Sequence, residues 1–285
     1  MEKFEYIEAK TFDEAVSKLS LYGQKANVLA GGTDLIPLMR NKVLKPKYVI
    51  GIAKTPSSAY IVRDDKGLGI GALTTFRDIE QSVLIQQEYP VLYEAATAMG
   101  SVQVRNMATV GGNLCRAAPG ADMAPPLLVL RAEVTILGPS AQRRIPLEEF
   151  FLGPGQTALR QDEVLTEVRV PPLPRRMGSS FLKIARTSQD LAKVNVAIAV
   201  NIMDDVCEDV RIALGAVGPT PIRAKKAEEV IRGRKPEERL IEEAAKVASE
   251  EIKPRNSIRS TAEYRKMVSK VLVKRAMIKA LERVK

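Results

Sequence analysis

The chain has 285 residues, of which 45% are hydrophobic, and its 44 Lys and Arg residues outnumber its 34 Asp and Glu residues, giving a net charge of +10. This composition excludes a disordered chain, and the length indicates two or three packed units rather than one core. Histidine is absent, which excludes a Ser-His-Asp hydrolase and a histidine-bound zinc site.

In chain order, residues 1–57 predict a small β-α-β unit. Thr11 is a suitable N-cap for a helix that begins over residues 11–16. A short apolar strand at 28–30 is followed by a glycine turn, a helix-like segment at 35–40 and a second strand at 48–52.

From residue 59 the pattern changes to strands and turns. Strands at 60–62 and 68–73 flank a polar turn and predict a hairpin. Segment 67–72 formally fits the dinucleotide fingerprint G-x-G-x-x-A, but its glycines lie within a strand instead of opening a helix, so we reject that interpretation. The further predicted elements are helices near 76–85 and 88–100, strands at 133–137 and 163–170, and a proline-rich linker at 171–174.

The remaining residues predict an antiparallel sheet followed by helices. The sheet has three strands, at 180–185, 194–202 and 210–216, and the helices cover 222–232, 236–251 and a last segment from about 261. The last helix begins with a capping box from Ser260 to Glu263. Its predicted buried side consists of Tyr264, Met267, Val268, Val271, Leu272, Ile278 and Leu281.

The positive charge raises nucleic-acid binding as one function class. Aromatic residues make up only 5% of the chain and tryptophan is absent, so there is no stacking platform for bases and we expect no nucleic-acid partner. No apolar run approaches the length of a membrane span, and the N-terminus shows no secretion signal, so we expect a cytoplasmic protein. Cys115 and Cys207 are too few for a disulfide framework or a cysteine-ligated cluster.

Two glycine pairs are the strongest functional signal in the chain. Gly31-Gly32 lies within residues 27–35 and Gly111-Gly112 within residues 108–114, each flanked by Thr and by Asp or Asn. Glycine turns let main-chain N–H groups approach an anion closely, so two of them could hold the two phosphates of a dinucleotide from opposite sides. The alternative is that both are ordinary tight turns.

The sequence around the second pair carries a family resemblance. Residues 101–128 contain V-R-N-x-A-T-V-G-G-N followed by P-x-x-D-x-x-P-P. This stretch resembles the FAD-binding (medium) subunit of the molybdenum hydroxylases, the group of xanthine dehydrogenase and aerobic carbon monoxide dehydrogenase. The resemblance runs nearly end to end and includes the segment Ser260-x-x-Glu263-Tyr264-Arg265 near the C-terminus.

The resemblance implies an α+β fold, with a two-lobed FAD-binding region like that of vanillyl-alcohol oxidase. The lobes would be residues 1–57 and 58–174, with FAD extended between them. A C-terminal α+β domain at 175–285, containing the three-stranded sheet and the helices, would face the isoalloxazine ring.

The resemblance also implies site residues. The first pyrophosphate loop would consist of Val28, Leu29, Ala30, Gly31, Gly32, Thr33, Asp34 and Leu35. The second would consist of Ala108, Thr109, Gly111, Gly112 and Asn113, with Cys115 and Arg116 closing over the cofactor. Asp122 would accept hydrogen bonds from cofactor hydroxyls, Leu165 would pack its backbone against the flavin, and Lys183 would place a cation near the ring. A capping carboxylate and a surface lysine are the alternatives for Asp122 and Lys183.

The function implied is that of an electron relay. Substrate would be oxidised at a molybdenum cofactor in a large subunit, electrons would pass through [2Fe-2S] clusters in a small subunit, and FAD in this chain would deliver them to an external acceptor. We expect a dimer of such heterotrimers. The alternatives are a free-standing flavoenzyme resembling UDP-N-acetylenolpyruvoylglucosamine reductase and a basic binding module without a cofactor. Two features depart from the family: the histidine that many relatives carry after G-G-N is absent, and so is the four-cysteine insertion of the benzoyl-CoA-reducing branch.

Overall fold

A small parallel sheet forms the N-terminal part of the computed structural model, which describes residues 1–284. Its strands, in spatial order β1-β3-β2, are β1 (Glu5–Glu8), β2 (Ala26–Leu29) and β3 (Tyr48–Gly51), and its helices are α1 (Phe12–Tyr22) and α2 (Leu35–Arg40). The Thr11 hydroxyl accepts a hydrogen bond from the N–H of Glu14, which confirms the predicted N-cap. We call this unit the parallel-sheet lobe.

An antiparallel sheet of five strands follows, in spatial order β4-β5-β10-β6-β7. The strands are β4 (Ile61–Asp64), β5 (Gly67–Gly71), β6 (Glu133–Leu137), β7 (Gln142–Pro146) and β10 (Val164–Val170), and a small separate hairpin is formed by β8 (Phe151–Gly153) and β9 (Gln156–Thr157). The predicted hairpin is β4-β5, and residues 67–71 lie in a strand as expected. We call this unit the antiparallel-sheet lobe.

Six short helices belong to the antiparallel-sheet lobe. They are α3 (Phe76–Gln81), α4 (Val83–Glu88), α5 (Pro90–Thr97), α6 (Val102–Met107), α7 (Val110–Cys115) and α8 (Ala124–Val129). The single helix predicted at 76–85 is wrong, because Ser82 adopts an extended backbone and its hydroxyl caps a new helix by accepting from the N–H of Ile85. Strand β7 and helices α6 to α8 were not anticipated by the sequence pattern.

The C-terminal domain contains the predicted antiparallel sheet with one additional strand. Its elements are β11 (Met177–Ile184), β12 (Val194–Met203), β13 (Val206–Gly215), β14 (Ile222–Arg223), α9 (Lys225–Ile231), α10 (Glu238–Glu251) and α11 (Ala262–Leu281). Helix α9 begins three residues later than predicted because residues 222–223 pair with β13.

Helix α11 buries a different side from the one predicted. Val268 and Leu272 are buried as expected, whereas Met267, Val271 and Ile278 are exposed. The face that packs on β11 and β12 is built from smaller residues, namely Ser269, Val273, Ala276 and Ala280 together with Met277. The approach is so close that a Cβ atom on Gly178 would lie 1.9 Å from the carbonyl oxygen of Ala280. The capping residue is Thr261, so the capping box predicted from Ser260 is also wrong.

Glu94 in α5 connects the antiparallel-sheet lobe to the C-terminal domain. Its carboxylate accepts a hydrogen bond from the N–H of Phe181 at 2.7 Å and forms ion pairs with Lys279 at 2.6 Å and Arg283 at 2.7 Å. Around these ion pairs the contact between the lobe and the C-terminal domain is apolar. Phe181 and Ala197 of the C-terminal domain belong to the same hydrophobic core as the buried residues of the antiparallel-sheet lobe.

Helix length and hydropathy bear on membrane insertion. None of the helices in residues 1–284 is long and apolar enough to cross a bilayer.

The Glu94 cluster predicts a pH-dependent stability. Burial alone would raise the pKa of Glu94, but Arg283, Lys279 and the N–H of Phe181 bring it below its ordinary value of 4.5. The ionised carboxylate therefore stabilises the folded state at neutral pH, and this contribution is lost as the pH falls through the lowered pKa. Glu94→Gln should lower the free energy of unfolding at pH 7 by about 1–3 kcal/mol, measured by urea denaturation.

A surface ion pair provides the control for this prediction. Glu242 is half exposed and pairs with Lys274 at 2.6 Å, so Glu242→Gln should leave the free energy of unfolding almost unchanged. Equal losses in the two variants, or a loss for Glu94→Gln that does not shrink as the pH is lowered through the acid range, would contradict the assignment of Glu94 as a buried interdomain carboxylate.

Candidate functional site between the two lobes

A cavity of about 470 Å³ lies between the parallel-sheet lobe and the antiparallel-sheet lobe. All of the predicted site residues line it except Leu29, Asp122 and Lys183. The two glycine pairs therefore meet at one cavity, although about eighty residues separate them in the sequence.

The first glycine turn presents unpaired main-chain donors to the cavity. Strand β2 ends at Leu29, the chain turns through Gly32 at a φ of +75°, and α2 begins at Leu35. Among residues 1–284, the N–H groups of Gly31, Gly32, Thr33 and Asp34 donate to no other group. Successive free N–H groups ahead of a helix form a concave positive surface that suits an anion.

The second turn differs from this expectation because its main-chain donors are already used. The N–H of Gly111 donates to the carbonyl oxygen of Ala72 at 2.9 Å, and the N–H of Gly112 donates to the hydroxyl oxygen of Thr109 at 3.0 Å. What this turn can offer a ligand is the hydroxyl hydrogen of Thr109 and the side-chain amide of Asn113. The amide oxygen of Asn113, which is a lining residue, accepts from the N–H of Met123 at 3.4 Å, and its NH₂ group donates to no group among residues 1–284.

The two turns touch each other directly. A Cβ atom on Gly31 would lie 1.7 Å from the carbonyl oxygen of Met107, so no larger residue fits there without separating the lobes. A Cβ atom on Gly112 would meet only the hydroxyl of its own capping residue, Thr109, at 2.8 Å. The steric demand for glycine is therefore stronger in the first turn than in the second.

A charged pair spans the cavity between the turns. The Nε atom of Arg116 lies 3.7 Å from Oδ1 of Asp34. That Nε atom is buried and has no hydrogen-bond partner among residues 1–284, so one donor at the cavity wall is unsatisfied. Burial raises the pKa of Asp34, and Arg116 partly opposes that rise.

The remaining wall is mostly apolar and includes residues that the sequence reasoning missed. These additional lining residues are Asn27, Leu38, Val43, Leu44, Ile52, Ala72, Leu73, Met99, Gly155, Leu159, Glu163 and Val164. Several of them, such as Val43 and Leu159, lie in irregular segments whose sequence has no helical or strand periodicity. The sequence also does not indicate that the apolar side chain of Val43 is exposed, which the structure shows. Glu163 is ion-paired with Arg143 at 2.8 Å, and this contact lowers the pKa of Glu163.

Cys115 lies in the wall as a neutral thiol. Burial raises the pKa of Cys115 to about 12, so the group stays protonated at neutral pH and is a weak nucleophile. Within residues 1–284, no group of three or more Cys, Asp or Glu side chains is arranged to hold a metal ion.

Asp122 and Lys183 lie behind the wall and bind each other. The Nζ atom of Lys183 donates to Oδ2 of Asp122 at 2.7 Å and to the carbonyl oxygen of Ala98 at 3.0 Å, while Asn195 donates to Oδ1 of Asp122 at 3.0 Å. Burial raises the pKa of Asp122, and Lys183 opposes that rise. Neither side chain lines the cavity, and each balances the charge of the other. Their contacts with a flavin stay a prediction.

Leu29 is also turned away from the cavity. It is the last residue of β2, and its Cδ1 atom packs 3.2 Å from the position of a Cβ atom on Gly32. It supports the first turn from behind.

Comparison with known families agrees with the two parts of the structure. Residues 2–173 match the family model described as the FAD binding domain in molybdopterin dehydrogenase, and residues 179–280 match the CO dehydrogenase flavoprotein C-terminal domain. The glyceraldehyde dehydrogenase medium chain of Sulfolobus acidocaldarius is 32% identical over 274 residues, which cover 96% of this chain and 97% of that protein. The carbon monoxide dehydrogenase medium chain of Hydrogenophaga pseudoflava is 32% identical over 96% of both chains.

Solved structures show the same fold over the whole chain. A chain of carbon monoxide dehydrogenase from Hydrogenophaga pseudoflava superposes with a TM-score of 0.97 at 32% identity, covering 100% of this chain and 99% of that chain. Quinoline 2-oxidoreductase from Pseudomonas putida superposes with a TM-score of 0.93 at 26% identity, covering 99% and 98%. The protein therefore belongs to the FAD-binding medium subunits of the molybdopterin dehydrogenases, the family that includes carbon monoxide dehydrogenase and xanthine dehydrogenase FAD subunits.

Proposed function

We propose that this chain holds FAD in the cavity between its lobes and relays electrons from [2Fe-2S] clusters of a small partner subunit to an external acceptor. The organic substrate is oxidised at a molybdenum cofactor in a large partner subunit. The observation that carries the FAD site is the row of unpaired N–H groups from Gly31 to Asp34, which faces the unpartnered Nε of Arg116. Bound FAD supplies two-electron redox chemistry at this site.

The residues present fit a pyrophosphate. The first turn would donate main-chain N–H groups to it, and the Thr109 hydroxyl and the Asn113 amide would donate from the second turn. Arg116 would add one positive charge beside the two phosphate groups. Apolar lining residues, among them Met99 and Leu165, would exclude water from the bound cofactor.

The proposal of partner subunits rests on the kind of protein that the similar sequences represent. The similar proteins are medium chains or FAD subunits of dehydrogenases, and a medium chain implies a larger and a smaller companion. We include in the proposal a dimer of heterotrimers, a cytoplasmic location and the division into lobes 1–57 and 58–174 with a C-terminal domain at 175–285. A free-standing flavoenzyme is not favoured, because relatives that match 96% of the chain are components of larger enzymes.

The first functional prediction concerns cofactor identity. A chain with a main-chain anion site and an opposing arginine is built for a pyrophosphate, and FMN has only one phosphate. Denaturing the purified yellow protein and weighing the released cofactor by mass spectrometry should give FAD. Recovery of FMN alone would contradict the proposed site.

The second prediction concerns the contact between the turns. Gly31→Ala should lower FAD affinity at least tenfold, because its Cβ would lie 1.7 Å from the Met107 carbonyl oxygen and force the lobes apart. Gly120→Ala is the matched control, since its Cβ would meet only ordinary contacts at 3.5 Å and beyond. Gly112→Val should also lose FAD, but Gly112→Ala should lose less than Gly31→Ala. Full FAD occupancy in Gly31→Ala would show that the first turn is not the binding element.

The third prediction concerns whether this chain can oxidise the organic substrate without its partner subunits. The chain expressed alone should retain FAD and fail to oxidise the organic substrate of its complex, whereas a tagged chain expressed with its companions should co-purify with a large and a small subunit. The measurements are subunit composition by mass spectrometry and substrate-dependent dye reduction. Turnover of that substrate by the single chain would overturn the relay and favour the free-standing flavoenzyme.

A further inference from the structure

A second cavity of about 200 Å³ lies in the C-terminal domain, and it shares no lining residue with the cavity between the lobes. It is formed by two loops, one after β11 and one before α11. Its lining residues are Arg186, Asp190, Leu191, Lys193, Ile258 and Arg259.

Three of the six side chains that line this cavity are cationic and only one is acidic, so the positive charge is incompletely balanced. Arg186 pairs with Asp190 at 3.1 Å, the single carboxylate of the lining. The Nζ atom of Lys193 lies 5.4 Å from the ring centroid of Tyr264, a cation–π contact, and forms no ion pair within residues 1–284. Arg259 likewise has no carboxylate partner in that part of the chain. Two positive charges therefore face the cavity without a counter-ion.

Beneath the two loops lies a buried guanidinium that holds them together. Arg265 is 6% exposed and donates to the carbonyl oxygens of Lys193 and Ala216, both at 2.6 Å, and to the hydroxyl of Ser257 at 2.9 Å. Its Nε atom has no hydrogen-bond partner among residues 1–284. Arg265 thus fixes both walls of the cavity while bringing one more positive charge to it.

The contrast with the other buried arginines is informative. Arg105 pairs with Glu80 at 3.0 Å, and Arg211 pairs closely with Asp209. Buried charges in proteins are normally paired, yet Arg265 has only neutral acceptors. Burial lowers the pKa of Arg265, and the neighbouring guanidinium groups of Arg259 and Arg255 lower it further. An anion bound beside Arg265 would offset the cost of burying its unpaired charge, and it would weaken the repulsion between Arg265, Arg259 and Arg255.

We propose that this second cavity binds an oxyanion, a phosphate or carboxylate group carried by a ligand, held by Lys193 and Arg259. Leu191 and Ile258 are both largely exposed at its rim, which suits contact with an apolar part of the same ligand. The volume of about 200 Å³ leaves room for such a group. The inference does not depend on the proposed electron relay, because its residues lie outside the FAD cavity.

The test uses the FAD-loaded chain, so that the cavity between the lobes is filled. Inorganic pyrophosphate and citrate are titrated separately by calorimetry at constant ionic strength, as the phosphate and carboxylate sources. The double variant Lys193→Gln, Arg259→Gln should weaken binding of the preferred probe at least tenfold, because two charge-assisted hydrogen bonds are lost.

The matched control removes two positive charges elsewhere in the same domain. Lys270→Gln, Arg275→Gln changes two exposed residues of α11 and should leave the affinity within twofold of the parent. Binding of pyrophosphate alone or of citrate alone supports the site and identifies the source of its oxyanion. Binding of neither probe, or equal weakening in both double variants, would overturn the proposal.

Discussion

The contact between Gly31 and the carbonyl oxygen of Met107 sets the geometry on which the rest of the site depends. A Cβ atom at Gly31 would overlap that oxygen, so the two lobes meet at main-chain distance at this point. Because the lobes are held so close, a turn from the parallel sheet and a turn from the antiparallel sheet border the same cavity. Only glycine fits at position 31, because the backbones of the two turns are so close there. This closeness is what makes the two turns parts of one site.

The two turns are chemically unequal. The first follows a parallel strand and keeps its N–H groups free, whereas the second is tied to β5 by the hydrogen bond from Gly111 to Ala72. The N–H groups of the second turn are therefore held within the protein, whereas those of the first turn are available to an anion. Arg116 acts from the side of the second turn, since it extends towards Asp34 across the cavity. Behind the wall, the pair of Asp122 and Lys183 joins the C-terminal domain to the lobe without adding net charge to the site.

Much of the fold could be predicted from the sequence, because glycine turns and strand periodicity are local properties, whereas the predicted site residues that line the cavity were implied by the family resemblance. The parts that failed depend on contacts between distant segments. Whether the N–H of Gly111 is free depends on the position of Ala72, which no local pattern reveals. Helix α11 buries Ala276 instead of Met267 because Gly178 allows the sheet to approach so closely that only small side chains fit. Lys183 carries the predicted charge, but its ammonium group is held in an ion pair by Asp122, which lies in a different domain.

The protonated thiol of Cys115 has a consequence for the chemical durability of the site. Reduced flavins that meet oxygen release peroxide, and peroxide oxidises thiolates to sulfenic acid much faster than it oxidises thiols. Because burial raises the pKa of Cys115 to about 12, almost none of the thiolate is present at neutral pH. A sulfur atom can therefore lie in the wall of a redox site through many turnovers without becoming its first point of oxidative damage.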